Sequence, residues 1–201
     1  MFLYRQDMKS VWRLALIMLA VFLVAAVVTF NMEGAAVGQT KPLSDVDAFK
    51  HLNLTTLEGE PFTADMLRAY DIVVVDMWYT ECFHCVDGMP QAARFAASMD
   101  TLFPNNKVLY IGICTDIIDM DGTLHEDMLA SAKSISRNAN VQYPQLIADA
   151  PFLKDFVKPY ISGFPTILYL DGEGNILHTT GGLTENGYML QINQLLSAKG
   201  E

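Results

Sequence analysis

The feature that most narrows the fold is the junction between Ile72-Val73-Val74-Val75-Asp76-Met77 and Cys82-Phe83-His84-Cys85. The first segment is a continuous run dominated by β-branched side chains, which predicts a strand buried on both faces. After the cysteines, Val86, Met89, Ala92, Ala93, Ala96, Met99 and Leu102 recur at helical spacing. They predict a helix from Cys82 to Phe103, kinked at Pro90. A buried strand running directly into such a helix puts Cys82 at the helix start. Unpaired backbone N–H groups and the helix dipole favour negative charge there, so a Cys82 thiolate is stabilised and its pKa falls. Cys85 lies one turn deeper and is expected to be shielded, which makes Cys82 the attacking sulfur and Cys85 the resolving one. A protonated His84 assists the thiolate, whereas the Glu81 carboxylate opposes it.

The rest of the chain supplies a frame for that junction. Phe49 to Phe62 holds two short extended pieces around Glu58-Gly59, a hairpin signal. Val108 to Cys114 reads as a second buried strand and Leu124 to Asn138 as a helix. Asp149 is suited to cap a shorter helix reaching about Lys158. Thr166–Leu170 and Ile176–Thr180 read as strands joined by Asp171-Gly172-Glu173-Gly174, a tight-turn sequence. Thr184 is placed to cap a last helix whose apolar side carries Met189, Ile192, Leu195 and Leu196. Strands alternating with helices and closing on a hairpin predict an α/β domain with a mixed sheet.

At the other end, Leu14 to Phe30 is an uninterrupted apolar run preceded by Arg5, Lys9 and Arg13. Its length, about 17 residues, lies near the lower limit for a spanning helix, and the charge bias predicts an N-terminus inside and the remainder outside. An uncleaved anchor over residues 1–31 is favoured over a signal peptide cut near Gly34-Ala35-Ala36 or Ala36-Val37-Gly38. Residues 32–44 then form a linker and 45–201 the domain. With Arg5, Asp7, Lys9 and Arg13 set aside, ten basic and twenty-two acidic side chains remain. So acidic a chain, without a Lys/Arg stripe, excludes nucleic-acid binding.

Other readings of the reactive residues fare less well. A Cys-x-x-Cys is often half of a zinc site, but no second pair exists, and His51, His125 and His178 lack ligand spacing. The third cysteine, Cys114, ends a predicted strand and reads as a small core residue. Asp119-Met120-Asp121-Gly122 resembles part of a calcium loop but fails at both ends, where Ile117 and Met128 would be ligands. A peroxidase would want threonine three residues before the catalytic cysteine, and Thr80 is two before Cys82.

The segment from Val75 through Trp78-Tyr79-Thr80-Glu81-Cys82-Phe83-His84-Cys85 to Met89-Pro90 resembles the active-site stretch of thioredoxin-like proteins. It is most similar to the TlpA/ResA branch of extracytoplasmic, membrane-anchored thiol–disulfide oxidoreductases. Leu57-Glu58-Gly59, Gly163-Phe164-Pro165-Thr166 and Gly181-Gly182-Leu183-Thr184-Glu185 follow in the family's order, so the resemblance covers about residues 45–197. It implies a thioredoxin-like fold: a central mixed sheet flanked by helices, an N-terminal hairpin, and a single N-terminal transmembrane or signal helix. By the same resemblance, Pro165 matches a cis-proline opposite the disulfide, leaving Phe164 to pair with an extended substrate. Asp76 matches a buried acid that takes the proton of Cys85, and Trp78 matches an aromatic flanking the site, in packing or in substrate contact. Glu81 stands where the branch usually has tryptophan, and His84 is shared with oxidising DsbA-type proteins, though without their proline.

The resemblance therefore implies an enzyme without a bound cofactor, exchanging dithiol and disulfide with exported proteins. Asp76 and Glu81 favour a reductant, supplied by a membrane thiol electron carrier, with cytochrome c maturation a typical task. Two alternatives stand beside it: a disulfide-introducing oxidase, and a copper-binding assembly protein using both thiolates and His178.

Overall fold

The computed structural model describes residues 42–182 and 184–199. The chain divides into Met1–Thr40 and Lys41–Glu201. The expected anchor and most of the expected linker thus lie outside the described residues, as does Leu183. Among the described residues no helix is long and apolar enough to cross a membrane.

A single 3₁₀ turn, Leu43–Asp45, precedes strands β1 (Asn53–Thr56) and β2 (Pro61–Thr63), which pair antiparallel as the hairpin expected around Gly59. Strand β3 (Ile72–Trp78) leads through a short turn into α1 (Phe83–Ala97) and the one-turn α2 (Met99–Leu102). There follow β4 (Val108–Cys114) and α3 (Glu126–Asn138), then β5 (Gln145–Ile147). A helical segment, α4, has three pieces: Ala150–Phe152, a π-type turn at Leu153–Val157, and Lys158–Tyr160. Strands β6 (Thr166–Leu170) and β7 (Ile176–Gly181) and helix α5 (Glu185–Lys199) complete the order.

The seven strands form one mixed sheet in the order β2-β1-β5-β4-β3-β6-β7. β3 lies between parallel β4 and antiparallel β6, and every one of its residues is buried. Side chains alternate across a strand, so Val73, Val75 and Met77 enter one core with Phe49, Leu54, Ile111, Phe152 and Phe156. Ile72 and Val74 enter the other, with Ala92 and Phe95 of α1 and Tyr188 and Ile192 of α5. Covering both faces is what a run of β-branched residues needs. The same alternation puts Asp76 on the α1/α5 side.

Three details depart from the sequence reading. The helix read through Phe103 ends at Ala97 and is interrupted at Ser98, whose Oγ donates to the Arg94 carbonyl (3.0 Å). That side-chain bond competes with continued helix, as serine commonly does. Helix α3 starts at Glu126, because Leu124 pairs with Ile118 in an antiparallel bridge. Between them Asp119 Oδ1 accepts from the N–H groups of Asp121 and Thr123, closing the acidic turn on itself. Strand β5 was not foreseen at all.

The cap expected of Asp149 and the turn expected of Asp171–Gly174 are formed, and Thr184 stands directly before α5. Asp149 Oδ1 accepts from Phe152 N–H (2.8 Å). In the β6–β7 turn, Asp171 Oδ1 accepts from the N–H groups of Glu173 and Asn175 (both 2.9 Å). Gly174 takes φ +81° there, and a Cβ on it would lie 2.8 Å from the Phe49 carbonyl carbon, so only glycine closes this turn against the Phe49 backbone.

Candidate active site

The strand-to-helix junction is built as the sequence suggests. After Trp78 the chain makes a tight turn in which Cys82 N–H donates to the Tyr79 carbonyl (3.1 Å). Cys82 is the N-cap of α1, and its Sγ accepts from Cys85 N–H (3.2 Å). The two cysteines are disulfide-bonded. Cys85 is shielded as expected, at 6% exposed, and Cys82 is covered as well, at 4%, so burial does not distinguish the two. Position does. Cys82 receives the helix's free N–H end, while Cys85 borders a cleft open to solvent.

That cleft, about 360 Å³, is lined by Asp76, His84, Cys85, Gly88, Ala92, Pro165, Gly182 and Tyr188. It brings together four of the residues singled out in the sequence, from two elements, β3 and α1, and a loop. Asp76 is 8% exposed, and burial raises its carboxyl to about 7, against a lowering contribution from the Tyr110 hydroxyl, which donates to Oδ2 at 3.2 Å. Burial wins because one long hydrogen bond replaces little of the lost hydration. The carboxyl is therefore poised to gain or lose a proton near neutrality, and it lines the same cleft as Cys85.

Pro165 follows a cis peptide bond from Phe164. The β6 ladder begins only at Thr166, paired with Met77 and Gly181, so the Gly163–Pro165 backbone stays outside the sheet. The Phe164 ring packs edge-on against Tyr79 (5.2 Å between centroids) and joins the cluster that holds both cysteines. Gly182 sits behind the proline, where a Cβ would come within 2.9 Å of Pro165 Cγ.

Trp78 is fully buried, and its Nε1–H donates to Gln145 Oε1 (2.8 Å) on β5. Of its two expected roles the structure places it in packing, because no part of the indole reaches the surface. Glu81 and His84 are exposed flanks of the pair, and the Phe83 ring, 74% exposed, stands edge-on to His84 (5.5 Å). His178 lies on β7 with its ring near Tyr169 (5.9 Å), not among the residues lining the cleft.

Three contributors, Asp116, Tyr110 and Tyr188, were not singled out from the sequence. Asp116 holds the turn before Cys82: its Oδ2 accepts from both the N–H (2.9 Å) and the hydroxyl of Thr80, and its Oδ1 from the Cys114 thiol (3.1 Å). Burial pushes that thiol well above the ordinary range, so Cys114 serves here as a neutral donor. Tyr110 on β4 donates to Asp76, and its hydroxyl lies 3.3 Å from that of Tyr188 on α5. These partners lie 36, 34 and 78 residues apart along the chain, and no local pattern announces such contacts.

No family model matches the sequence, and no curated protein does. Solved structures do. A secreted disulfide oxidoreductase of Mycobacterium tuberculosis homologous to E. coli DsbE shares 17% identity, covering 74% of this chain and 99% of its own, with a TM-score of 0.54. A thiol:disulfide interchange protein of the thioredoxin family from Chlorobium tepidum is 18% identical, covering 72% and 92%, at 0.57. StoA from Bacillus subtilis is 18% identical, covering 69% and 93%, at 0.51. At such identities the likeness is one of fold. The described domain has the thioredoxin-like fold.

Proposed function

We propose that this chain is a thiol–disulfide oxidoreductase working through Cys82 and Cys85. One observation carries the reading: a disulfide at a helix N-cap whose inner sulfur shares a cleft with a buried carboxyl of raised pKa. The names of its structural neighbours support the same chemistry.

In the reducing direction the Cys82 thiolate attacks a substrate disulfide, forming a mixed disulfide and releasing one substrate thiolate. Cys85 then gives its proton to Asp76 and attacks Cys82 Sγ, and the second substrate thiolate leaves. Two electrons pass from the dithiol to the substrate, and the Cys82–Cys85 disulfide is the product. A dithiol donor must restore the reduced pair. The charge pattern around Leu14–Phe30 supports a membrane-tethered domain on the outer side, acting on exported proteins and recharged by a membrane thiol carrier. Asp76 and Glu81, both opposing an extreme thiolate, support the reductant role, and cytochrome c maturation is a task suited to it.

The test is to trap the intermediate. In a Cys85→Ser variant the mixed disulfide cannot be resolved, so Cys82-linked protein adducts are expected on non-reducing gels and absent when Cys82 is also serine. A Cys85→Ser protein that forms no adduct with any disulfide would sink the reading. The potential of the pair fixes direction: about −270 mV supports a reductant, about −120 mV an oxidase.

A further inference from the structure

Asp76 has two carboxylate oxygens in different circumstances. Oδ2 accepts from the Tyr110 hydroxyl (3.2 Å), whereas among the described residues no group donates to Oδ1. The Tyr110 hydroxyl lies in turn 3.3 Å from that of Tyr188. A phenol has one proton. With Tyr110's committed to the carboxylate, Tyr188 is the donor between the two tyrosines. Both are almost wholly buried, 2% and 4% exposed. Tyr188 is fixed from the other side by stacking on Phe95 of α1, the helix that carries Cys85 (5.1 Å, 20°), and it lines the cleft that Asp76 and Cys85 share.

We propose that Tyr110 and Tyr188 form a hydroxyl chain that fixes the Asp76 carboxyl, engaging Oδ2 and leaving Oδ1 to take the Cys85 proton; both tyrosines are positioning residues. The inference rests on the thiol–disulfide reading and deepens it. The chain bond by bond is Tyr188 O–H to Tyr110 O, Tyr110 O–H to Asp76 Oδ2, and Cys85 S–H to Asp76 Oδ1. Only the last proton moves.

The electrical surroundings suit this division. The titratable groups around Asp76 are Tyr110 from β4, Tyr143 ahead of β5, Tyr188 from α5, and His84 and Cys85 from α1, which line its cleft; opposite it on β6 stands Ile167. Burial first, and then the neighbouring carboxylate, pushes Tyr110 and Tyr143 well above the usual phenol range. Tyr110 therefore stays a protonated donor throughout the range in which Asp76 titrates. Hydrogen bonds in such a chain strengthen one another at low dielectric.

Tyr110→Phe removes the donor to Oδ2, and the carboxylate loses its stabiliser. Followed by ¹³C NMR of the oxidised protein, the Asp76 carboxyl is expected to titrate about one pH unit higher than in the wild type. The pH profile of mixed-disulfide resolution should move in the same direction by the same amount. Tyr188→Phe, which keeps the Phe95 stack, should shift both readouts by about half as much. A purely structural role would lower the melting temperature and leave both curves in place, and that result overturns the proposal. Should Tyr110→Phe fail to fold, the Tyr188→Phe titration decides alone. A wild-type protein that exchanges with no disulfide would refute the underlying reading instead, and the carboxyl titration would still report on the chain.

Discussion

Replacing Asp76 with asparagine is expected to stabilise the oxidised protein by roughly 4 kcal/mol at pH 8 and by almost nothing at pH 4. In the unfolded chain the carboxyl titrates near 3.8, and in the folded one at about 7. Between those values the folded protein holds a proton that the unfolded chain has released, so stability falls as pH rises through the window. Above 7 both states are ionised and the full cost of a buried charge is in place. Asparagine keeps the shape and the acceptor for Tyr110 but cannot ionise. Its melting temperature should therefore exceed that of the wild type by on the order of 10 °C at pH 8, with the gap closing toward pH 4. The same substitution removes the proton acceptor for Cys85, so resolution of the mixed disulfide at pH 7 should slow by roughly a hundredfold. Thermal melts at several pH values and single-turnover resolution rates check the two halves. A pH-independent gap would mean that Asp76 is not the group carrying the titration, and an unchanged resolution rate would remove it from the mechanism.

What the sequence disclosed depended on how local each signal is. Ile72–Met77, the helical spacing after Cys85 and the Asp171–Gly174 turn each carry their structure within a few residues; the strand and the turn formed as read, and the helix formed with its break at Ser98. Strand β5 has only Gln145, Leu146 and Ile147, too few for periodicity to register, and it opens on a polar residue. It is a strand because β4 and β1 flank it. The site divides in the same way. Cys82 and Cys85 declare themselves by spacing. Asp76 and Pro165 were recognisable only by resemblance, and the groups that hold the site, Asp116, Tyr110 and Tyr188, are ordinary residues made specific by tertiary contact. Trp78 shows the limit best. Adjacency to the cysteines says that it is near the chemistry, but only its bond to Gln145 says that it faces inward.

That bond leads to the second large effect, expected from Gly112→Ala. Gly112 lies on β4 beside Asp76 on β3 and Gln145 on β5. An added Cβ would stand 2.6 Å from Gln145 Cδ, and nearer still to its amide oxygen and nitrogen. The end of the glutamine must therefore leave. Gln145 is 5% exposed and borders an open cleft, and moving its amide away strips the buried Trp78 indole N–H of its acceptor. An orphaned buried donor costs about 1–3 kcal/mol, and overpacking a filled core costs about as much again. Together they predict a loss of roughly 3 kcal/mol, read as a lower denaturant midpoint at unchanged slope. Gln145→Leu separates the two contributions: it orphans the same indole without crowding, and should lose only the first. If Gly112→Ala were as stable as the wild type, the Trp78–Gln145 bond would not be what holds the tryptophan beneath the cysteine pair. If Gly112→Ala and Gln145→Leu cost the same, the penalty would lie wholly in the lost bond, and the close fit of glycine under glutamine would be incidental.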